Sequence, residues 1–443
     1  MKNFYYLALF ISVNTFSQIS FKTNKFIPLP KEPVSSLVAD INNDGLNDLI
    51  IDYYSTNYFS IMKQKTNGEL DVIENYTINN DSENISKIDV GDLNNDGRKD
   101  IITGNTKGTG IFFQNNDGTI GNFALRANLP LGNYTIGDLN NDGLNDIFII
   151  SYNKIHFAYQ NPNSPGNFTV TSLDKTWQGG STQIKDINND HLNDIIIACS
   201  NISKIYTFRQ KPEGGFLDPV ITNATDWIDD IDVGDINNDG LNDLVATKAA
   251  NNTSQIKLFF PSLEDHVFYS YVALPAYELA SSVKIVDFNN DGKNEIAVTH
   301  YAWNSFSVYS SVNNVFSGYQ RFELPYSNSN SFYSLSVGDI NNDGLADAVM
   351  AWYNGINILI NNSTPIMSTS EMSKIKIDVY PNPASDFLTV KNNKSNSHYT
   401  ISDFSGKIVT SGNLTNDKIS INSLSTGNYI LSIENQKIKF IKK

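Results

Sequence analysis

Short apolar runs punctuate residues 19–362, separated by clusters of Asn, Asp, Gly and Ser. Asp48-Leu-Ile-Ile-Asp-Tyr-Tyr54, Tyr58-Phe-Ser-Ile-Met62 and Asp71-Val-Ile-Glu-Asn-Tyr-Thr-Ile78 are typical. Each is apolar or alternating, rich in β-branched and aromatic residues and closed by turn formers, so each predicts a strand. The pattern is also periodic. The phrase Asp40-Ile-Asn-Asn-Asp44-Gly-Leu-Asn-Asp48 returns at Asp92, Asp138, Asp186, Asp235, Asp287 and Asp339, at intervals of 52, 46, 48, 49, 52 and 52 residues. A period near 50 is the length of a four-stranded blade, and seven copies predict an all-β, seven-bladed β-propeller over residues 18–362.

The phrase has the spacing of a calcium loop. Side-chain oxygens at positions one, three and five, a carbonyl at seven and a carboxylate at nine wrap a hard cation, with glycine at six allowing the sharp turn. The first loop offers Asp40, Asn42, Asp44, the Leu46 carbonyl and Asp48, and the second Asp92, Asn94, Asp96, the Arg98 carbonyl and Asp100. The third offers Asp138, Asn140, Asp142, Leu144 and Asp146, and the fourth Asp186, Asn188, Asp190, Leu192 and Asp194. The fifth has Asp235, Asn237, Asp239, Leu241 and Asp243; the sixth Asp287, Asn289, Asp291, Lys293 and Glu295; the seventh Asp339, Asn341, Asp343, Leu345 and Asp347. An EF-hand is excluded, because position twelve is apolar or small and both flanks read as strands. A single copy would pass for an ordinary Asn-Asp-Gly turn; seven in register, each ending in an acid, point to up to seven Ca2+ ions. His191 replaces the glycine of the fourth loop, which makes that loop the weakest.

These phrases, among them Val90-Gly-Asp-Leu-Asn-Asn-Asp-Gly97, Val233-Gly-Asp-Ile-Asn-Asn-Asp-Gly240 and Val337-Gly-Asp-Ile-Asn-Asn-Asp-Gly344, resemble the FG-GAP repeats of integrin α-subunit propellers and the related VCBS repeats of bacterial surface proteins. The resemblance implies a calcium-bearing propeller that takes its ligand on the face away from the calcium loops.

Charge supports that picture. The net charge of -15 argues against nucleic acid or an anionic membrane as partner, since both need a basic face, and favours cations. The lone Cys199, inside an apolar run, excludes an internal disulfide and reads as a buried small residue. At the front, Lys2, the apolar stretch Phe4 to Val13 and Thr15-Phe16-Ser17 predict a signal peptide over residues 1–17, cut before Gln18. Neither that stretch nor any later one is long enough to span a membrane.

The last repeat is one strand short. The piece Ile19 to Leu29 precedes the first loop as an outer strand precedes every other loop, so it is expected to complete the seventh blade and close the ring. In a four-stranded meander whose first connection is the calcium loop, the second-to-third and fourth-to-first connections lie on the opposite face. Trp177, Trp227, Trp303 and Trp352 fall there, with Tyr54, His300, Tyr301 and Tyr353. These rings either form a ligand face for an extracellular glycan or protein or pack between blades.

After a linker at 363–373 the composition changes. Val379-Tyr-Pro-Asn-Pro-Ala-Ser-Asp386, Ile401-Ser-Asp-Phe-Ser-Gly406-Lys and Leu424-Ser-Thr-Gly-Asn-Tyr-Ile-Leu431 resemble the type A C-terminal sorting domain of the type IX secretion system. The resemblance implies a small Ig-like β-sandwich over 374–443 that is read by the outer-membrane secretion machinery, placing the mature chain at the cell surface or outside it. No catalytic constellation stands out: the five histidines are scattered and no Gly-x-Ser-x-Gly elbow occurs. The expected function is therefore a non-enzymatic binding or adhesion module. A polysaccharide lyase or hydrolase on the same scaffold, and a structural surface-layer component, are the alternatives.

Overall fold

The computed structural model describes residues 19–22, 25–78, 87–175, 180–248, 254–262, 264–301, 304–312, 315–316, 318–324, 332–352, 354–363, 378–391, 397–403, 407–414, 418–433 and 436–443. The expected signal peptide and nearly all of the expected linker lie outside these residues. The chain divides into two units, Met1–Ile366 and Met367–Lys443.

Among the described residues the first unit holds seven antiparallel four-stranded sheets, each paired in simple meander order. The first blade runs Pro33–Ala39, Asp48–Tyr53, Tyr58–Met62 and Glu74–Thr77. The next five repeat that order, through to the sixth blade's Ala280–Val286, Glu295–His300, Ser305–Tyr309 and Gln320–Glu323. The seventh takes Phe332–Gly338, Asp347–Trp352 and Gly355–Leu359 from its own repeat, and its fourth strand is Lys25–Pro28 from the front of the chain. Lys25 pairs with Ile358 and Pro28 with Gly355, and Phe21 forms a further bridge to Asn361. The expected closure by the N-terminal segment is therefore what the fold adopts.

Seven apolar cores, one between each pair of neighbouring blades, hold the ring. Successive residues of a second strand point to opposite sides. Ile101 therefore joins Ile50 and Ile61 in the core with the first blade, while Ile102 joins Ile147 and Ile149 in the core with the third. The circle closes where Val349, Ala351 and Ile358 of the seventh blade meet Leu49, Ile51 and Tyr53 of the first. A strand buried on both faces reads as a continuous apolar run, which is why Asp194–Cys199 is wholly buried and why Cys199 is inert, its thiol pushed up to about 12 by burial. The glycine before four of the loops has a packing cause. A Cβ on Gly91, Gly137, Gly234 or Gly338 would come within 2.7, 2.7, 3.0 and 2.6 Å of Ile136, Ile184, Ile285 and Val38 of the next blade, so these inner strands pack as closely as they do only because a side chain is missing.

The second unit is a two-sheet sandwich. Asp378–Tyr380, Phe387–Lys391 and Lys418–Ser420 form one sheet; Ile408–Asn413, His398–Asp403, Gly427–Ile433 and Gln436–Lys442 form the other. Leu388, Val390, Ile401, Ile419, Leu431 and Phe440 fill its core.

Candidate functional site

The seven acidic loops share one internal wiring. The carboxylate at position one accepts the N–H of position six in every loop, from Asp40 and Gly45 to Asp339 and Gly344, at 2.7–2.9 Å. The position-three amide oxygen accepts the N–H of position five at 2.8–3.1 Å, and the position-five carboxylate that of position seven at 2.8–3.0 Å. One oxygen of the ninth-position acid accepts the N–H of position two at 2.9–3.3 Å. In five loops its other oxygen takes an N–H from the end of the third strand, at Gln64, Gln114, Gln160, Gln210 or Asn361. The loops are thus wound by their own backbone, with acidic oxygens gathered at the start of a fully buried strand.

Burial has an electrostatic consequence. It pushes the carboxyl of Asp48 up to about 6, those of Asp100, Asp146, Asp194, Asp243 and Asp347 to about 7, and that of Glu295 to about 8, with the acids at positions five and one adding repulsion. In the fifth loop, Asp235 Oδ1 and Asp243 Oδ1 are buried with no donor at all. Among the described residues no three acidic, histidine or cysteine side chains already meet around one metal-sized point. The donor set is oxygen alone and two of those oxygens are orphaned, so these residues fit a hard divalent cation.

Two loops differ. Arg98 turns its guanidinium back onto Asp96, placing a positive charge on one of the second loop's own donors, a contact not evident from spacing alone. In the fourth loop His191 stands at φ 68° with its side chain outside in solvent, as expected of a residue forced into a glycine turn. A Cβ at the six glycines in the equivalent place would meet nothing within 4 Å, so the cost is backbone strain and not a clash. His191→Gly should stabilise the chain by about 1 kcal/mol, read as a rise of about 1–1.5 °C in the thermal melt. Position four, always Asn, also has φ of 53–61°, which Asn tolerates. Asn43, Asn189 and Asn290 use that turn to donate to the glycine carbonyl of the following loop, at Gly97, Gly240 and Gly344, tying neighbouring loops together.

On the opposite face Tyr54, Trp227 and Tyr301 are exposed at 65, 68 and 41%. Tyr152, at 78%, joins them. It lies fourteen residues after the first Asp of its loop, as Tyr54 and Tyr301 do, so repeat register was the signal that would have found it. Trp352 corrects the expectation. It sits one place earlier, at the end of a second strand, where alternation turns its side chain into the core between the sixth and seventh blades and leaves 2% exposed. His300, at the same repeat position, is likewise buried. Trp177, Trp303 and Tyr353 lie outside the described residues.

Comparison with known proteins agrees with this geometry. The FG-GAP-like repeat model matches residues 40–103, 138–197, 186–246 and 287–350, together just over half of the chain, and the secretion system C-terminal sorting domain model matches residues 378–443. No curated protein sequence matches. Among solved structures, the chain is similar to a lectin of Agrocybe aegerita that recognises non-reducing terminal N-acetylglucosamine, at 16% identity over 74% of this chain and 87% of that one, with a TM-score of 0.53. It is also similar to BBS1N, solved in complex with ARL6DN, at 11% identity over 79% and 98% of the two chains and a TM-score of 0.52. PorZ, a surface component of the type-IX secretion system of Porphyromonas gingivalis, is matched at 13% identity over 94% of this chain and 60% of that one, with a TM-score of 0.47. Among the described residues no helix is long and apolar enough to cross a membrane. The chain belongs to the FG-GAP-like repeat family and, carrying a type IX sorting domain at its end, is a β-propeller protein exported to the cell surface or beyond it.

Proposed function

We propose that the mature protein is a calcium-loaded, non-catalytic binding module that takes an extracellular glycan or protein on the propeller face opposite its acidic loops. The observation that carries this reading is the set of rings held at one repeat position on that face, Tyr54, Tyr152 and Tyr301, which with Trp227 are left in solvent. Exposed rings of this kind stack on sugar faces or anchor protein loops. Calcium acts at a distance from that face, as the clamp on each blade's first turn: the acids at positions one, five and nine, the position-three amide and the position-seven carbonyl would hold it. Export begins with removal of residues 1–17 and is completed through the sorting domain, which engages the type IX machinery.

The test is a glycan and protein array probed with the full chain in calcium, with N-acetylglucosamine-terminated glycans among the probes. A ligand should be captured by the native chain and lost, by tenfold or more, in Trp227→Ala or Tyr152→Ala. Release of unsaturated ends from a polysaccharide panel would instead establish a lyase. Calcium-driven assembly into sheets, with no soluble ligand, would establish a surface layer.

A further inference from the structure

The acidic loops are bonded not only within themselves but to one another. Position eight lies between the carbonyl of position seven and the acid of position nine. There Asn47, Asn193, Asn242 and Asn294 donate to the main-chain carbonyl of the first acid of the preceding loop, at Asp339, Asp138, Asp186 and Asp235, over 3.2, 3.3, 2.6 and 2.7 Å. A second bridge starts at the end of the third strand. Gln64, Gln114, Gln210 and Asn361 give their N–H to the ninth-position acid of their own loop. Their side-chain amides reach back to the preceding loop, to the carbonyls of Asp339, Ile41, Asp138 and Phe288 at 2.5–3.4 Å. The position-four donation of Asn43, Asn189 and Asn290 to the following loop is the third bridge.

The first loop is joined in this way to the second and the seventh, and the third is joined through the fourth, fifth and sixth to the seventh. Among the described residues one junction carries none of these bridges, that between the second and third loops, where Gln160 donates to the Asn145 carbonyl of its own loop instead. The junction between the fifth and sixth loops rests on Asn294 alone.

Each bridge lasts only while both of the turns it joins keep their shape. The acids at positions one, five and nine repel one another, so a loop without a counter-charge tends to open. In opening it withdraws its position-eight amide from its neighbour's first acid. A loop held closed therefore steadies the next one, which is the nearest-neighbour behaviour of a repeat array, and linkage makes the effect equal in both directions.

We propose that divalent cations load the ring cooperatively, with closure passing from loop to loop along the amide bridges and ending at the unbridged junction between the second and third loops. The proposal rests on the calcium reading given above.

Calcium titrated into the full chain in competition with a chromophoric chelator should give a Hill coefficient of about 2 or more. Native mass spectra at half-saturation should show empty and fully loaded chains outnumbering partly loaded ones. Asn294→Ala, which removes the one bridge between the fifth and sixth loops, should flatten the isotherm and weaken the mean affinity about fivefold. Asn145→Ala, at the unbridged junction, should change neither. If Asn294→Ala does not fold, Asn47→Ala combined with Gln64→Ala opens the junction between the seventh and first loops and makes the same test. Filling one loop also weakens the field that draws an ion to the next, and salt screens that opposing effect over a Debye length of about 8 Å at physiological strength, so the isotherm should steepen as salt is raised to that level. A hyperbolic isotherm overturns the proposal, as does Asn145→Ala flattening it as much as Asn294→Ala. Hyperbolic uptake leaves the calcium reading standing, whereas a chain that takes up no calcium overturns both.

Discussion

Chelation should lower the melting temperature of the full chain by about 10 °C or more, and restored calcium should return it. The size follows from linkage. A site that binds only the folded chain contributes about 2.7 kcal/mol when free ion exceeds its Kd a hundredfold, and loops that gather their ligands within nine residues exist only in the folded state. In a propeller of this size 1 kcal/mol corresponds to roughly 1–1.5 °C, so occupation of four loops reaches the threshold. The direction follows from the repulsion among the acids at positions one, five and nine, such as Asp339, Asp343 and Asp347, which only a cation relieves. The measurement is a thermal melt in EGTA against one in calcium, followed by near-ultraviolet circular dichroism. Identical melts would remove calcium from the account while leaving the propeller standing.

Deletion of residues 19–29 should abolish cooperative unfolding altogether. Ile19 is buried in the core between the sixth and seventh blades, and Phe21 sets its ring edge-on against Phe288, Phe306 and Phe322 at 5.3, 5.5 and 4.9 Å. The Lys25–Pro28 strand covers the backbone of Gly355–Leu359, and Leu29 N–H donates to the Asn354 carbonyl. Removing all of this strips a core of its aromatic filling and bares the backbone of Gly355–Leu359 as a new sheet edge, with aggregation as the expected companion. A deletion variant expressed beside the intact chain and followed by denaturant unfolding decides the matter. A sharp, unshifted transition would show that the ring closes without its first strand.

Much of the molecule was legible from residue order because repetition amplifies weak local signals. One Asn-Asp-Gly turn says little, yet seven in register set the blade length, and the missing fourth strand of the last repeat located its substitute at the chain's front. The loops read equally well, since their wiring is local: every loop carboxylate bonds to backbone within its own turn or at the end of the adjacent strand. The aromatic face read less well. Trp352 is the last residue of a second strand and Tyr54 the first after one, and that shift of one place decides whether a ring enters the core or the solvent.

The order of residues by itself determined the strand periodicity, the seven acidic turns, the closure by the N-terminal segment and the sorting tail, because each depends on spacing along the chain. Only the tertiary structure decided which aromatics remain exposed and that Arg98 turns its guanidinium onto Asp96. The first depends on side chains from different blades meeting across space and the second on how one side chain turns within its loop, and no periodicity along the sequence encodes either.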